Sequence, residues 1–593
     1  MVHEAGDYRD IDREFAEYLC RLAGKDEAIL RRIGLEVSRA TGEGHICLDL
    51  NEACGSAAAE TAAFLTSTSV VGLPGSVAPL VLDRENRLYL YRYWNYEQEL
   101  ASGLRAMAGE RIAGTDPVVL KDGLDRLFGP TGEEWPDWQR IAAAAALRSR
   151  LTVISGGPGT GKTSTVVKII ALLLEQSAGE RCRIAMAAPT GKAAARLREA
   201  LRSARTRLRG KTPVADAIPD DVFTIHRLLG VVPGSCRFRH DSRNPLPHEI
   251  VVVDEASMVA LPLMAKLVAA LSRRARLILL GDRDQLASVE PGAVLGDICH
   301  RGGEDRYSAD FNAYLGQVTG QALDGSTGFA PVPSLADSLV VLRKNFRFGA
   351  AGAIGKISRA INEGDPEAAL REFKDPAVQE VSMKDLSSDG CLLAALGENV
   401  LAGYREYLEK DDPAEALASF DGFRILCALR SGARGVSGLN RAVEGILAAT
   451  GLLQPDRVWY RGRPVMIRVN DYALRLFNGD IGIALPDPER PGALAVFFPA
   501  ENGGVRKVSP LRLPEHETVF AMTVHKSQGS EFDRVLFVMP FADSPVLTRE
   551  LLYTGMTRAR KSLVLWCGDA IFRTAVSRRT DRRSGLRQAL WEG

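Results

Sequence analysis

Apolar and polar positions change rhythm near residue 116. Before it, apolar residues recur every three to four positions in REFAEYLCRLAG and AILRRIGLEVSRAT, the period of helices that bury one face. An aromatic stretch follows at 88–101, LYLYRYWNYEQELA, with Tyr89, Tyr91, Arg92, Tyr93, Trp94 and Tyr96 interleaving rings and charge. Such interleaving can stack nucleic-acid bases, but over so short a segment it predicts a strand or helix packed at a domain boundary. Residues 1–115 therefore read as a separate N-terminal unit of amphipathic helices.

From 116 onward, continuous apolar runs alternate with helical segments: LTVISG then TSTVVKIIALLLEQ, RIAMAAP then GKAAARLREALRSA, EIVVVDEAS then LPLMAKLVAALSRR, and RLILLGD. Runs buried on both faces and joined by helices predict a parallel sheet in a doubly wound α/β domain. A second series begins near 341, with FRILCALR, RVLFVMP and SLVLWCG as strands. Two α/β lobes, 116–340 and 341–593, would thus enclose a cleft. Two stretches break the pattern. Residues 301–340 lack periodicity and read as a surface or partner-facing excursion, while 460–516 holds short β segments between turns and predicts a small barrel inserted in the second lobe.

Composition narrows the function. At 593 residues the chain has room for several domains, and 75 Lys and Arg against 74 Asp and Glu leave a net charge of +1. That balance excludes a histone-like polybasic binder, so any nucleic-acid surface must be local. No apolar run approaches the roughly 20 residues of a membrane span, so no membrane role is expected. The opening MVHEAGDYRDIDREF lacks the basic start and apolar stretch of a secretory signal, which makes the cytoplasm the expected compartment. Nine cysteines (20, 47, 54, 182, 236, 299, 391, 427 and 567) include no C-x-x-C pair. They read as reduced thiols, without zinc, iron-sulfur cluster or disulfide framework.

GGPGTGKT at 156–163 carries the chemistry. It matches G-x-x-x-x-G-K-[ST] between a strand and a helix, the context a phosphate-binding loop requires. Gly156, Gly157, Pro158, Gly159, Thr160, Gly161, Lys162, Thr163 and Ser164 are the expected ATP-binding residues. Glycines let backbone N–H groups curl around phosphate oxygens, Lys162 neutralises the β and γ charge, and the Thr163 hydroxyl ligates Mg²⁺. EIVVVDEAS ends a buried strand in Asp254 and Glu255, placing Asp254 to hold Mg²⁺ and Glu255 to accept a proton from the attacking water. Gln285, in the polar loop after RLILLGD, could sense the γ-phosphate. Arg347 in NFRF and Arg558 in YTGMTRAR are expected on the far lobe, where an arginine crossing the cleft would make hydrolysis depend on closure.

The ordered set GGPGTGKT, APTGKAAARL, TIHRLLG, VVVDEAS, GDRDQLASVEPG, LRKNFRF, TVHKSQGSEF and YTGMTRAR, spanning about residues 135–565, resembles the motif series of superfamily 1 DNA helicases. RLYLYRYWNYEQELA, LCALRSGARGVSGLNRAVE and PVMIRVNDYALRLFNGDIG further resemble the RecD family, alpha subunits of exodeoxyribonuclease V (RecBCD). The resemblance implies two RecA-like P-loop lobes, a helical N-terminal domain that docks on the gamma subunit, and an SH3-like insertion around 478–515. It implies a 5′-to-3′ helicase acting in double-strand break repair within a heterotrimer with the beta and gamma subunits. Gln139 would read the adenine, Thr190, Lys192, Thr224, His226, Thr523, His525 and Lys526 would touch or couple to single-stranded DNA, and Gln528 would link the two sites. Hydroxyls, amides and lysines at strand-to-helix loops suit backbone phosphates and sequence-independent tracking. No carboxylate-rich nuclease cluster follows YTGMTRAR, so nuclease activity would belong to the beta subunit. A stand-alone RecD-like helicase, a class with a longer N-terminal extension, is the alternative. The Arg-rich runs at 196–211 and 577–587 are open to either a solvated or a DNA- or partner-facing role.

Overall fold

The computed structural model describes residues 8–24, 27–112, 115–130, 136–177, 182–300, 307–323, 334–347, 352–386, 389–471, 473–500 and 504–592. Among them, four sheets organise the chain. In the N-terminal unit, helices Asp10–Ala23 and Ala28–Gly42 bury Leu19, Leu30, Ile33 and Val37 against Leu48, Leu80, Leu82 and Leu88 of a four-stranded sheet.

The first α/β lobe has six parallel strands in the order Leu339–Leu342, Leu151–Gly156, Arg276–Gly281, Ile250–Val253, Ile184–Ala188 and Val222–Thr224. Alternate residues feed two separate cores. Ile154, Val252, Ile278 and Leu280 meet the helices Pro117–Phe128, Trp138–Arg148, Lys162–Gln176 and Gly191–Leu208, whereas Leu151, Val153, Val251, Val253, Leu277 and Leu279 face the opposite layer. Burial of both faces explains why these strands read as unbroken apolar runs. Because the strands are parallel, the loops after 156, 188, 224, 253 and 281 emerge along one edge, where open α/β sheets bind ligands.

The second lobe repeats the scheme with five parallel strands in the order Val381–Lys384, Ala559–Trp566, Phe532–Val538, Phe423–Cys427 and Ala521–Thr523. The insertion is an antiparallel five-stranded sheet in the order Val505–Val508, Leu494–Pro499, Ile481–Pro486, Pro464–Ile467 and His516–Thr518. One face, with Met466, Ile481, Ile483 and Phe497, joins the core of the second lobe, and the other closes on Val465, Ile467, Leu476, Ala484, Val496 and Phe498. The sheet therefore runs wider than 478–515, because its fourth and fifth strands, Pro464–Ile467 and His516–Thr518, come from the flanking segments.

Three expected boundaries move. Strand Leu339–Leu342 pairs with the P-loop strand, so a division at 340/341 would cut a strand of the first sheet. Helix Tyr91–Gly109 covers the first α/β lobe instead of completing the N-terminal unit, since Tyr93, Leu100, Ala101 and Leu104 share a core with Leu151, Val153 and Leu267. The aromatic stretch is thus boundary packing, with Tyr89 and Tyr93 buried. Segment 582–591 leaves the second lobe and straps the other two bodies together. Ile46 N donates to Arg583 O at 2.8 Å, Ser584 Oγ and Gly585 N donate to Glu97 Oε2 at 3.1 and 2.9 Å, and Trp591 Nε1 donates to Asp297 O at 3.1 Å.

In the 301–340 stretch, helix Ala309–Thr319 packs Phe311, Leu315 and Val318 into the first lobe, which corrects the expectation of a surface or partner-facing excursion there. Residues 301–306 and 324–333 lie outside the described residues. The Arg-rich helix at 191–208 buries Leu197, Leu201, Ala204 and Leu208, while Arg202 and Arg209 pair with Asp220 and Asp216. Among the described residues no helix is long and apolar enough to cross a membrane, and eight cysteines carry free thiols. The side chain of Cys391 lies outside that description.

Candidate functional site

Between the lobes lies a cleft of about 360 Å³ lined by Pro158, Gly159, Gly161, Lys162, Thr163, Ser164, Asp254, Glu255, Gln285, Phe346, Arg347, Glu531 and Arg558. The loop curls because Gly159 and Gly161 both take φ of +82°, open to glycine at little cost. Gly161 ends in the left-handed region and starts helix Lys162–Gln176, whose free N–H groups point into the cleft. Lys162 Nζ donates to Gly156 O and Gly157 O at 2.5 and 3.1 Å, so the ammonium is poised over its own loop. Gln139, in the first turn of a helix capped by Asp137, donates through Nε2 to Thr160 O at 3.2 Å. It supports the loop from outside the lining.

The acidic pair shows how burial and charge combine. Asp254 follows a fully buried strand and accepts from Glu255 N at 2.9 Å. Burial, then the neighbouring Glu255 carboxylate, pushes the Asp254 carboxyl up to about 7, against the pull of Lys162. Glu255 itself takes φ +52°, ψ +41°, a left-handed conformation unusual for a residue with a side chain. A buried carboxyl facing a hydroxyl, Thr163, in the same cleft forms an all-oxygen donor set, the kind that suits Mg²⁺.

The two arginines arrive by different routes. Arg558 comes from the second lobe, as expected, and is buried with Nε donating to Thr554 O at 2.9 Å and Nη1 to Ser530 O at 3.2 Å. Arg347 does not sit on the far lobe. Its segment follows the edge strand of the first sheet and lies on the P-loop, where Asn345 Nδ2 donates to Pro158 O and Phe346 N to Gly159 O, both at 2.8 Å. From there Arg347 reaches across to Glu531 Oε1 at 2.7 Å. Burial alone would raise the Glu531 carboxyl, but Arg347, Arg196 and Arg558 outweigh it and hold it below the usual carboxylate range.

Gln285 is buried and donates to Asp282 Oδ2 at 3.0 Å. Two residues absent from the expected set meet this loop, the Tyr553 hydroxyl donating to the same Asp282 oxygen at 2.9 Å and Thr554 Oγ1 accepting from Leu286 N at 2.9 Å, and Gln528, expected as a link between the two sites, donates through Nε2 to Leu286 O at 2.9 Å. Tyr553 and Thr554 stand inside YTGMTRAR and Glu531 inside TVHKSQGSEF. The motifs flag these segments, but only the folded lobes bring Tyr553 and Thr554 to partners 271 and 268 positions away and Glu531 to Arg347.

The remaining predicted positions line the other end of the same edge. Thr190 and Thr224 cap helices, accepting from Ala193 N and Arg227 N at 3.2 Å each. Burial pushes the Lys192 ammonium down to about 8, with Asp421 opposing and Arg196 adding to the effect. His226 stands edge-on to Phe238 at 5.8 Å, and burial lowers its imidazole below the ordinary value. On the second lobe, Thr523 Oγ1 accepts from Lys526 N at 3.3 Å, and burial lowers both His525 and Lys526. The insertion joins the two sets: Lys526 Nζ donates to Asn478 Oδ1 at 2.8 Å, and Phe477 lies so close over Gly191 that a β-carbon there would meet it at 3.0 Å.

Three family models match the chain: the N-terminal domain of RecBCD enzyme subunit RecD over residues 4–67, an AAA domain over 139–291, and a UvrD-like helicase C-terminal domain over 518–566. The RecBCD enzyme subunit RecD of Mycobacterium tuberculosis is 41% identical over 99% of this chain and 96% of its own length. That of Haemophilus influenzae is 37% identical over 87% and 81%. The ATP-dependent RecD2 DNA helicase of Deinococcus radiodurans is 29% identical over 89% of this chain and 62% of its own length.

Proposed function

This chain belongs to the RecD subunit family of the RecBCD enzyme, and on that premise we propose that it is the ATP-driven 5′-to-3′ DNA helicase subunit of that heterotrimer. It works beside beta and gamma subunits in double-strand break repair, in the cytoplasm, and leaves nuclease chemistry to the beta subunit. The observation that carries the reading is the meeting of P-loop, acidic pair, Gln285 and Arg558 in one cleft between two lobes.

Hydrolysis follows from how those groups are held. Thr163 and Asp254 would hold Mg²⁺, which supplies charge neutralisation between the phosphates when bound. Lys162 and the N–H groups of the P-loop bind the triphosphate. Gln139 supports the loop where the adenine would lie. Glu255, fixed by its left-handed backbone beside Asp254, accepts the proton of the attacking water. Arg558 stabilises the charge that develops during transfer. Thr190, Lys192, Thr224, His226, Thr523, His525 and Lys526 line the strand-end loops on which single-stranded DNA would run, with the antiparallel insertion acting as an SH3-like wall over Gly191 and Lys526. In the N-terminal unit, Ile11, Tyr18 and Leu22 lie on one face of the first helix at 63, 51 and 46% exposure. That apolar stripe supports docking of this unit on the gamma subunit.

Lys162→Gln should remove DNA-stimulated ATPase activity while single-stranded DNA binding persists; equal turnover by variant and parent sinks the P-loop assignment. The stand-alone alternative has weaker support, since the chain spans only 62% of the RecD2 relative at 29% identity.

A further inference from the structure

Leu286 belongs to the first lobe by sequence and to the second by every contact its backbone makes. It follows Gln285 in the loop after strand Arg276–Gly281. Its side chain is buried within the core of the second lobe, among residues such as Met522, Phe537 and Met556. Its N–H donates to Thr554 Oγ1 at 2.9 Å, and its carbonyl accepts from Gln528 Nε2 at 2.9 Å. Both polar groups of one peptide residue are therefore committed across the cleft.

Thr554 extends the link to the arginine. It is fully buried on helix Arg549–Met556, and its carbonyl accepts from Arg558 Nε at 2.9 Å while its hydroxyl oxygen accepts from Leu286. Tyr553, its neighbour, donates to Asp282 Oδ2, the oxygen that also receives Gln285 Nε2. Its hydroxyl stands over the P-loop, 2.8 Å from where a β-carbon on Gly157 would lie. Gln528 follows Lys526 and His525 by two and three residues and so ties the same joint to the DNA-side loop.

We propose that the Leu286–Thr554 hydrogen bond is a positioning joint that makes Gln285 and Arg558 move as one unit when the lobes shift on DNA, with Thr554 as its positioning residue. A buried bond of this kind transmits displacement, because stretching it leaves a buried N–H unpaired. Thr554 touches no reacting atom; it sets the distance between two groups that do.

This inference rests on the ATPase reading above, and the isosteric pair at one position tests it in the full-length chain. Thr554→Val keeps the shape and removes the hydroxyl, whereas Thr554→Ser keeps the hydroxyl. Steady-state ATP hydrolysis with saturating single-stranded DNA should show kcat about tenfold lower for Thr554→Val with KM for ATP within about twofold of the parent, and Thr554→Ser close to parental. A Thr554→Val protein that matches a DNA-stimulated parent overturns the joint, as does a Thr554→Ser protein as impaired as Thr554→Val, since packing would then account for the loss. Absence of DNA-stimulated turnover in the parent overturns the functional reading instead.

Discussion

Arg347 and Arg558 look alike in sequence, each inside a short basic-aromatic motif, but their surroundings give them different work. Arg558 is held entirely by carbonyls of its own lobe, those of Thr554 and Ser530, so its head is aimed before anything binds. Arg347 is fixed to the P-loop through Asn345 and Phe346 and is paired with Glu531. Arg558→Ala should therefore lower kcat by about a thousandfold with little change in KM, as for a group that acts in the transition state. Arg347→Ala should raise KM as well, because it disturbs the loop that binds the triphosphate. Steady-state ATPase kinetics on the two variants check this, and a pure KM effect at Arg558 would point to a ground-state contact. The expectation that both arginines sit on the far lobe failed at Arg347 for a topological reason: strand Leu339–Leu342 returns to the first sheet before the chain crosses. A short apolar run does not say which sheet it joins.

Among elements, the strands of both motor sheets were legible because burial on two faces leaves an unbroken apolar run, and the P-loop because its spacing between strand and helix is nearly unique. The strap at 582–591 was not. Its Arg-rich approach reads like a solvated or DNA-facing tail, and only the fold sets it beside Glu97 and Asp297. Burial raises both carboxyls to about 7, even though Ser584, Gly585, Arg87 and Tyr89 favour the charged form of Glu97 and Ser584 and Arg587 that of Asp297. Both folded values lie above the unfolded carboxylate range, so the folded state holds more protons between about pH 5 and 7 and stability falls as pH rises through that window. The melting temperature should therefore drop on going from about pH 5 to pH 8, and drop less in a Glu97→Gln/Asp297→Asn double variant. Comparison with that variant removes the contributions of Asp254 and Asp284, which burial also raises. Equal slopes would assign the pH dependence elsewhere.

For the whole molecule, a net charge of +1 is compatible with a DNA motor because the cationic groups at the strand-end loops are few and half-buried, and several arginines of the long runs, Arg202, Arg209 and Arg583 among them, are paired with the chain's own carboxylates. Lys192, His525 and Lys526 are all lowered by burial, so on the proposed reading the chain alone would hold phosphates through few cationic contacts. Stable engagement would then draw on partner subunits, and the apolar stripe of the first helix is where one would sit. Tyr18→Glu/Leu22→Glu should abolish co-elution with co-expressed beta and gamma subunits in size-exclusion chromatography while the isolated chain keeps its DNA-stimulated ATPase. Unchanged co-elution would place the docking surface elsewhere.

The strap also sets a clock. Arg583 is 538 residues from His45, whose Nδ1 accepts from Arg583 N. At about 5–20 residues per second of synthesis, the N-terminal unit waits on the order of a minute for that partner. Its own core of Leu19, Leu30, Val37 and Leu88 needs nothing from the strap, so the unit can form at once. Its attachment to the first lobe through these bonds comes only after both lobes have left the ribosome, whereas direct contacts such as Gly292 N to Gly44 O at 3.0 Å need only the first lobe, so the strap is among the final features of the fold to be set.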